Sequence, residues 1–183
     1  MSYTQAEKLQ ILLLCDIHSA LGIKNSYDPG LIKEAVETDN IWALEWEYHS
    51  LSTPEDNPLE VKHVCDVLDM YDMLKFTYDH LTPEEQNQLA EDVPHFSADS
   101  SLSFPGFDYN NEGKLVSVAH MLAKMGRFNR QDITKNSHSP TFEVSERMLE
   151  VYAPERANFH HGRGLTYEAL KNTLLARIHP SNR

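Results

Sequence analysis

The 183-residue chain has only two cysteines, Cys15 and Cys65. Each sits alone inside a helix-like pattern, so neither zinc-ligand spacing nor a disulfide framework is on offer. Both read as small buried apolar residues. No apolar run approaches the roughly 18 residues that a membrane span needs, and the longest, Ile11–Cys15, belongs to an amphipathic pattern. The N-terminal MSYTQAEK lacks the basic-then-apolar layout of a secretory signal. A cytoplasmic protein without membrane association is therefore expected. There is no Gly-rich phosphate loop, nucleophile elbow or HExxH motif. Serines and histidines are present, but no spacing singles out a nucleophile with its base. No cofactor is implied, and the balance leans away from an enzyme.

Arginine is missing from the first 126 residues. Residues 1–112 hold five Lys against 22 Asp or Glu, a net of −17, whereas residues 113–183 hold 11 Lys or Arg against six Asp or Glu, a net of +5. The total is −12. The plainer reading is that the two portions pack together and offset each other, within or between subunits. The sharper one is that the basic portion receives an anion. Whole-chain acidity argues against unaided duplex DNA binding, which relies on neutralising phosphates.

What the chain has in quantity is capped, amphipathic helical pattern, with no strand alternation and no repeats. Thr4-Gln5-Ala6-Glu7 is a capping-box signature, followed by Leu9, Leu12, Leu13 and Ile17 at helical spacing, and Gly22 is a stop signal. Asp28-Pro29 opens a second helix with Leu31, Ile32, Ala35 and Val36 inward, and Asn40 a third over 41–51 carrying Trp42 and Trp46. Asn57-Pro58 opens a central helix of about 23 residues with Val61, Val64, Val67, Leu68, Tyr71 and Leu74 in its apolar stripe. Thr82-Pro83-Glu84-Glu85 opens a short helix that ends before Pro94. Residues 94–104 read as a loop, Asp108 as the N-cap of a helix to about Met125, Ser139-Pro140 as the start of another that Pro154 ends, and Thr166 as the cap of the last. The expected fold is all-α, a single multi-helix orthogonal or bundle-like domain of about seven to eight helices over residues 1–183.

Candidate binding residues fall into two sets. Arg127 and Arg130, with Lys135 on the same loop, present cations suited to phosphate or carboxylate. In the 158–164 loop, His160, His161 and Arg163 make an anion site the chemical reading and a solvated loop the plain one. The adjacent histidines would hold metal only if a third ligand joined them, and their spacing matches no zinc pattern. Trp42, Trp46, Tyr71, Phe104 and Phe107 form the aromatic set, expected in a core, a pocket or an interface. Asp69 and Asp72, three apart, read as a solvated helix face rather than a metal site.

Four stretches together resemble the YfbU family: TQAEKLQILL at the start, DVLDMYDMLKFTYDHL over 66–81, FPGFDYNNEG over 104–113 and SPTFEVSERMLEVY over 139–152. They occur in the family's order across nearly the whole chain. The resemblance implies an all-helical, oligomeric, cytoplasmic domain of uncharacterised function, suspected of ligand binding or regulation. The functional expectation is accordingly a self-associating helical domain that binds a small, anionic ligand or a protein partner. The alternatives are a hydrolase or nuclease with a His, Arg or carboxylate site, and a nucleic-acid-associated protein.

Overall fold

The computed structural model describes residues 3–52, 56–159, 162, 164–179 and 181, the side chain of Ala157 excepted. Among the described residues there are nine α-helices and no strand. They are α1 (Gln5–Leu21), α2 (Pro29–Glu37), α3 (Trp42–Glu47), α4 (Leu59–Asp79), α5 (Pro83–Asp92), α6 (Ala98–Ser101), α7 (Gly113–Lys124), α8 (Phe142–Glu155) and α9 (Tyr167–Ala176). Single 3-10 turns follow α3 and α8. The one-turn α6, inside the stretch expected to be loop, brings the count above the seven or eight read from the sequence.

Helix starts encoded by neighbouring residues form as expected. Thr4 and Glu7 close a capping box on α1, as Thr82 and Glu85 do on α5. Asp28 accepts the Gly30 N–H ahead of Pro29, and Thr166 accepts that of Ala169. Four other starts differ. Asn40 does not cap α3, which begins at Trp42 without a side-chain cap, because its Oδ1 accepts the Trp42 indole N–H at 2.9 Å. Asn57 does not cap α4, because its Oδ1 accepts the indole N–H of Trp46 at 2.9 Å. Asp108 caps a tight turn instead of a helix, accepting the N–H of Asn110 at 3.0 Å, and α7 begins only at Gly113. Helix α8 begins at Phe142 with no cap from its own flank; Glu112, thirty residues earlier, supplies it.

Helix α4 is the axis of the core. Val61, Val64, Val67, Leu68, Met70, Tyr71 and Leu74 are buried along it, against α7, α8 and α9. Leu102, Phe104 and Phe107 plug the same core from the loop after α6. Four cations of the basic portion pair with carboxylates of the acidic one: Lys114 with Glu60, Lys124 with Glu34, Lys171 with Asp92, and Arg156 with both Asp66 and Asp69. Such pairs orient the surfaces more than they stabilise them.

Helix α1 stands apart. It packs on α2, and none of its residues joins the shared core cluster. Its apolar residues therefore do not divide as the sequence suggests. Cys15 is buried and Ile11 and Leu12 are half-buried against α2, while Leu9, Leu13, Leu14, Ile17 and Leu21 point outward with 53 to 69 % of their surface exposed.

Candidate functional site

Of the concave regions that meet α8, two bring polar side chains together with an apolar floor. The larger is a cleft of about 620 Å³ between α4 and α8, floored by Leu115, Phe142, Leu149 and Tyr152 and edged by Lys62, His63, Asp66, Glu146 and Arg156. His63 is one of its lining residues. Its Nδ1 is 2.9 Å from Glu146 Oε1 and its Nε2 is 3.2 Å from Ser145 Oγ, with its ring stacked on Phe142 at 4.6 Å. Burial lowers the His63 pKa against the opposing pull of Glu146. The neutral imidazole thus donates from Nδ1 to Glu146 and accepts at Nε2.

Hydroxyl, imidazole and carboxylate here stand in the series that activates a nucleophile. The surroundings give a different use. Ser145 is buried in the first turns of α8, and its Oγ also reaches the Phe142 carbonyl at 2.8 Å. Its own N–H is committed to Thr141 O, so it brings no donor for an oxyanion. The network fixes the His63 ring and joins α4 to α8.

Beside it, Arg156 forks between Asp66 at 2.7 Å and Asp69 at 3.1 Å while lying over the Tyr152 ring. Burial alone would raise the Asp66 carboxyl, but hydrogen bonds from Lys62 and Arg156 hold it below the usual range. Burial raises Asp69 and Asp72. Asp69 faces Arg156 and Asp72 accepts the Gln131 amide at 2.8 Å, so the two do not converge on a common ion.

The second region is a pocket of about 190 Å³ beneath the Phe104-Pro105-Gly106-Phe107 turn. Buried Val67, Tyr71, Phe104, Phe107 and Ser145 line its floor, and exposed Ser100, Ser139 and Pro140 its rim. Phe104 sits edge-on to both Phe107 and Tyr71, with ring centres 5.0 and 5.9 Å apart. Gly106 makes the turn possible. Its φ is +96°, and a Cβ there would come within 2.2 Å of the Lys135 carbonyl oxygen. The turn is thereby pressed onto the 126–138 loop, where Ser137 N–H donates to Phe107 O.

The residues singled out from the sequence are dispersed. Tyr71, Phe104 and Phe107 meet at the smaller pocket. Trp42 is buried, its indole N–H donating to Asn40 Oδ1 at 2.9 Å, and Trp46 lies edge-on to it on the wall of a third cleft of about 510 Å³ with Asn57 and Cys65. Arg127 and Arg130 part company: Arg127 lies over the Trp46 ring at 5.4 Å, whereas Arg130 shares a cleft with Asp72 and Phe159. His160, His161 and Arg163 lie outside the described residues. Sequence reasoning missed His63, Ser145, Glu146 and Arg156, whose contacts span 82 to 90 residues of chain, apart from the α8 neighbours Ser145 and Glu146. It also missed Glu112. Only the outer face of α1 left a local sign, an excess of leucine over what one buried stripe can use.

Among the described residues no cluster of three His, Cys, Asp or Glu side chains is placed to hold a metal, and no helix is long and apolar enough to cross a membrane. Neither a curated protein nor a solved structure matches the chain. The family model described as the YfbU domain does match, over residues 1–176, and takes in every helix from α1 to α9. That span includes the α1 face, the α4–α8 cleft and every lining residue of the pocket beneath the Phe104–Phe107 turn except Arg177, and on it the chain belongs to the YfbU family.

Proposed function

We propose that this chain is a non-catalytic helical domain that pairs with a second copy of itself through the outer face of α1 and binds a small ligand in its helical body. The observation that carries the pairing is the stripe Leu9, Leu13, Ile17 and Leu21, one residue in every four, with Leu14 beside it and Ile23 beyond. Together these six side chains expose roughly 600 Å² of apolar surface, at the top of the range for a contiguous patch on a monomer. It amounts to most of the ~800 Å² that each partner contributes to a stable interface. Between Lys8 and Asp16 the helix carries no charge. Those two charges are held within the chain by Asp39 and Lys33, so neither is left unpaired at the ends of this stretch. Ridges built from every fourth residue interlock with their own kind at a crossing of about −50°, which makes the stripe self-complementary.

A regulatory role would further require coupling between assembly and the ligand site, which is no part of this proposal. The hydrolase reading has the Ser145–His63–Glu146 series in its favour, but that series lacks an oxyanion donor on Ser145. Nucleic-acid binding through residues 127–183 is disfavoured because Arg156 and Lys171 are already paired with carboxylates.

The test is sedimentation of the wild type and of Leu13→Glu and Ile17→Glu at about 50 µM, where a micromolar dimer is well populated. A dimeric wild type and monomeric variants of unchanged helicity are expected. A monomeric wild type, or variants that remain dimeric, would refute the pairing. Trp42→Ala is unsuited to this test because Trp42 is part of the core.

A further inference from the structure

We infer that the pocket beneath the Phe104–Phe107 turn is a binding site for a small aromatic or branched carboxylate, with Arg177 as its counter-ion. The inference names a ligand class for the binding half of the proposed function and does not depend on self-association.

Size comes first. A cavity of ~150 Å³ accommodates benzene. The pocket here is about 190 Å³, enough for one six-membered ring and a small polar group. The floor suits a ring. Phe104 and Phe107 are mutually edge-on, Tyr71 is edge-on to Phe104, and all three are buried. A planar ligand would continue that cluster with the same edge-to-face preference.

The polar groups suit an anion. Arg177 lines the pocket and, unlike Arg156, its guanidinium has no carboxylate or hydrogen-bond partner among the described residues. The hydroxyls of Ser100 and Ser139 also line it with no hydrogen bond to another described residue. Tyr71 brings a buried hydroxyl whose one partner among the described residues is the Met148 sulfur at 3.8 Å, a weak acceptor. Burial pushes that phenol up to about 12, so it remains a donor across the physiological range. A guanidinium and hydroxyl-bearing side chains on the lining of an apolar slot suit a carboxylate.

Thr141, which lines the pocket, also holds a buried carboxylate, that of Glu112. Glu112 accepts the backbone N–H groups of Asp108, Thr141 and Phe142 and the Thr141 hydroxyl, so its oxygens are saturated by donors.

Isothermal titration with benzoate, and with isosteric neutral benzamide, tests the assignment. Benzoate is expected to bind saturably and benzamide roughly tenfold more weakly, since benzamide loses the charge-assisted pair. Arg177→Met should lose at least about tenfold in benzoate affinity and little for benzamide. Tyr71→Phe, which keeps the ring, should lose a smaller factor. Nuclear Overhauser contacts from the benzoate ring to Phe104 and Phe107 locate the site independently of any variant's stability. No saturation up to about 10 mM benzoate, equal binding of benzamide, or contacts to other aromatic residues would overturn the inference. Ile17→Glu should bind benzoate as the wild type does, so failure of the dimer and failure of this site register separately.

Discussion

The carboxylate of Glu112 accepts the backbone N–H of Phe142 at 2.6 Å, and the same group reaches back to the N–H of Asp108 at 2.7 Å. One buried side chain therefore caps α8 and closes the 108–112 turn. The N-terminal N–H groups of a helix have no intrahelical acceptor, and here the acceptor comes from a distant segment instead of the flank. Glu112→Gln keeps the shape but replaces one acceptor oxygen with a donor amide facing N–H groups. The expected loss is about 2–3 kcal/mol, the scale of a buried charge-assisted hydrogen bond, or a fall in Tm of roughly 4–12 °C for a chain of this size. Glu112→Ala should lose at least as much. A calorimetric Tm within 1 °C of wild type for Glu112→Gln would show that solvent caps α8 equally well.

Gly106→Ala places a methyl carbon against the Lys135 carbonyl in a backbone region that L-residues rarely adopt. Both the clash and the positive φ act against it, so the cost should exceed the ~1 kcal/mol of an ordinary glycine replacement. The effect should also be local. Ser137 N–H, which donates to Phe107 O at 3.3 Å, should lose hydrogen-exchange protection more than amides in the middle of α4. Uniform loss across the chain would indicate that the turn and the 126–138 loop are not a separable unit.

The caps of α1 and α5 were legible because donor and acceptor lie three residues apart: Thr4 with Glu7, and Thr82 with Glu85. The α4 stripe was legible because Val64, Val67, Leu68 and Tyr71 follow the helical period and every one is buried. The cap of α8 was not, since Glu112 and Phe142 are brought together only by the folded Phe104–Phe107 turn. Asn57 and Asp108 misled for a related reason. Each is a good cap by type, yet Asn57 is recruited by Trp46 and Asp108 by its own turn. For α1 the period was legible and the buried face was not, because a period says which residues share a face but not which face meets a neighbour. The candidate pockets were legible only as parts: Tyr71, Phe104 and Phe107 as aromatics, never their meeting with Arg177.

The His63 network carries a pH signature. In the folded chain burial lowers the His63 pKa below 6.5, so between that lowered value and 6.5 the unfolded chain binds more protons than the folded one. Stability then rises with pH through this window: the contribution is fully present above about pH 6.5 and is lost as pH falls toward the folded pKa. Protonation would also take away the Nε2 acceptor and turn the Ser145 hydroxyl fully onto the Phe142 carbonyl. Urea unfolding of the wild type at pH 7.5 and 5.5 should show a larger loss of stability than the same pair of measurements on His63→Gln. Equal losses would mean that His63 titrates alike in both states.

Cys65 lies against Trp46, Asn57 and Asp66 at the third cleft, and burial, helped by Asp69 and Asp66, pushes its thiol up to about 11. At pH 8 only about 0.1 % of such a thiol is thiolate, against roughly a quarter of an ordinary cysteine with pKa near 8.5. The more basic thiolate is also the better nucleophile, which recovers about tenfold of that difference. Net alkylation by iodoacetamide should run at least tenfold slower than for a free cysteine, and denaturant should restore the ordinary rate. Arg127 opposes the shift from across the Trp46 ring, so Arg127→Met should slow the reaction further without altering the rate in denaturant. A Cys65 that reacts in the native protein as fast as in the unfolded chain would mean that the α3–α4 packing opens readily, and with it the cleft that Trp46 and Cys65 share.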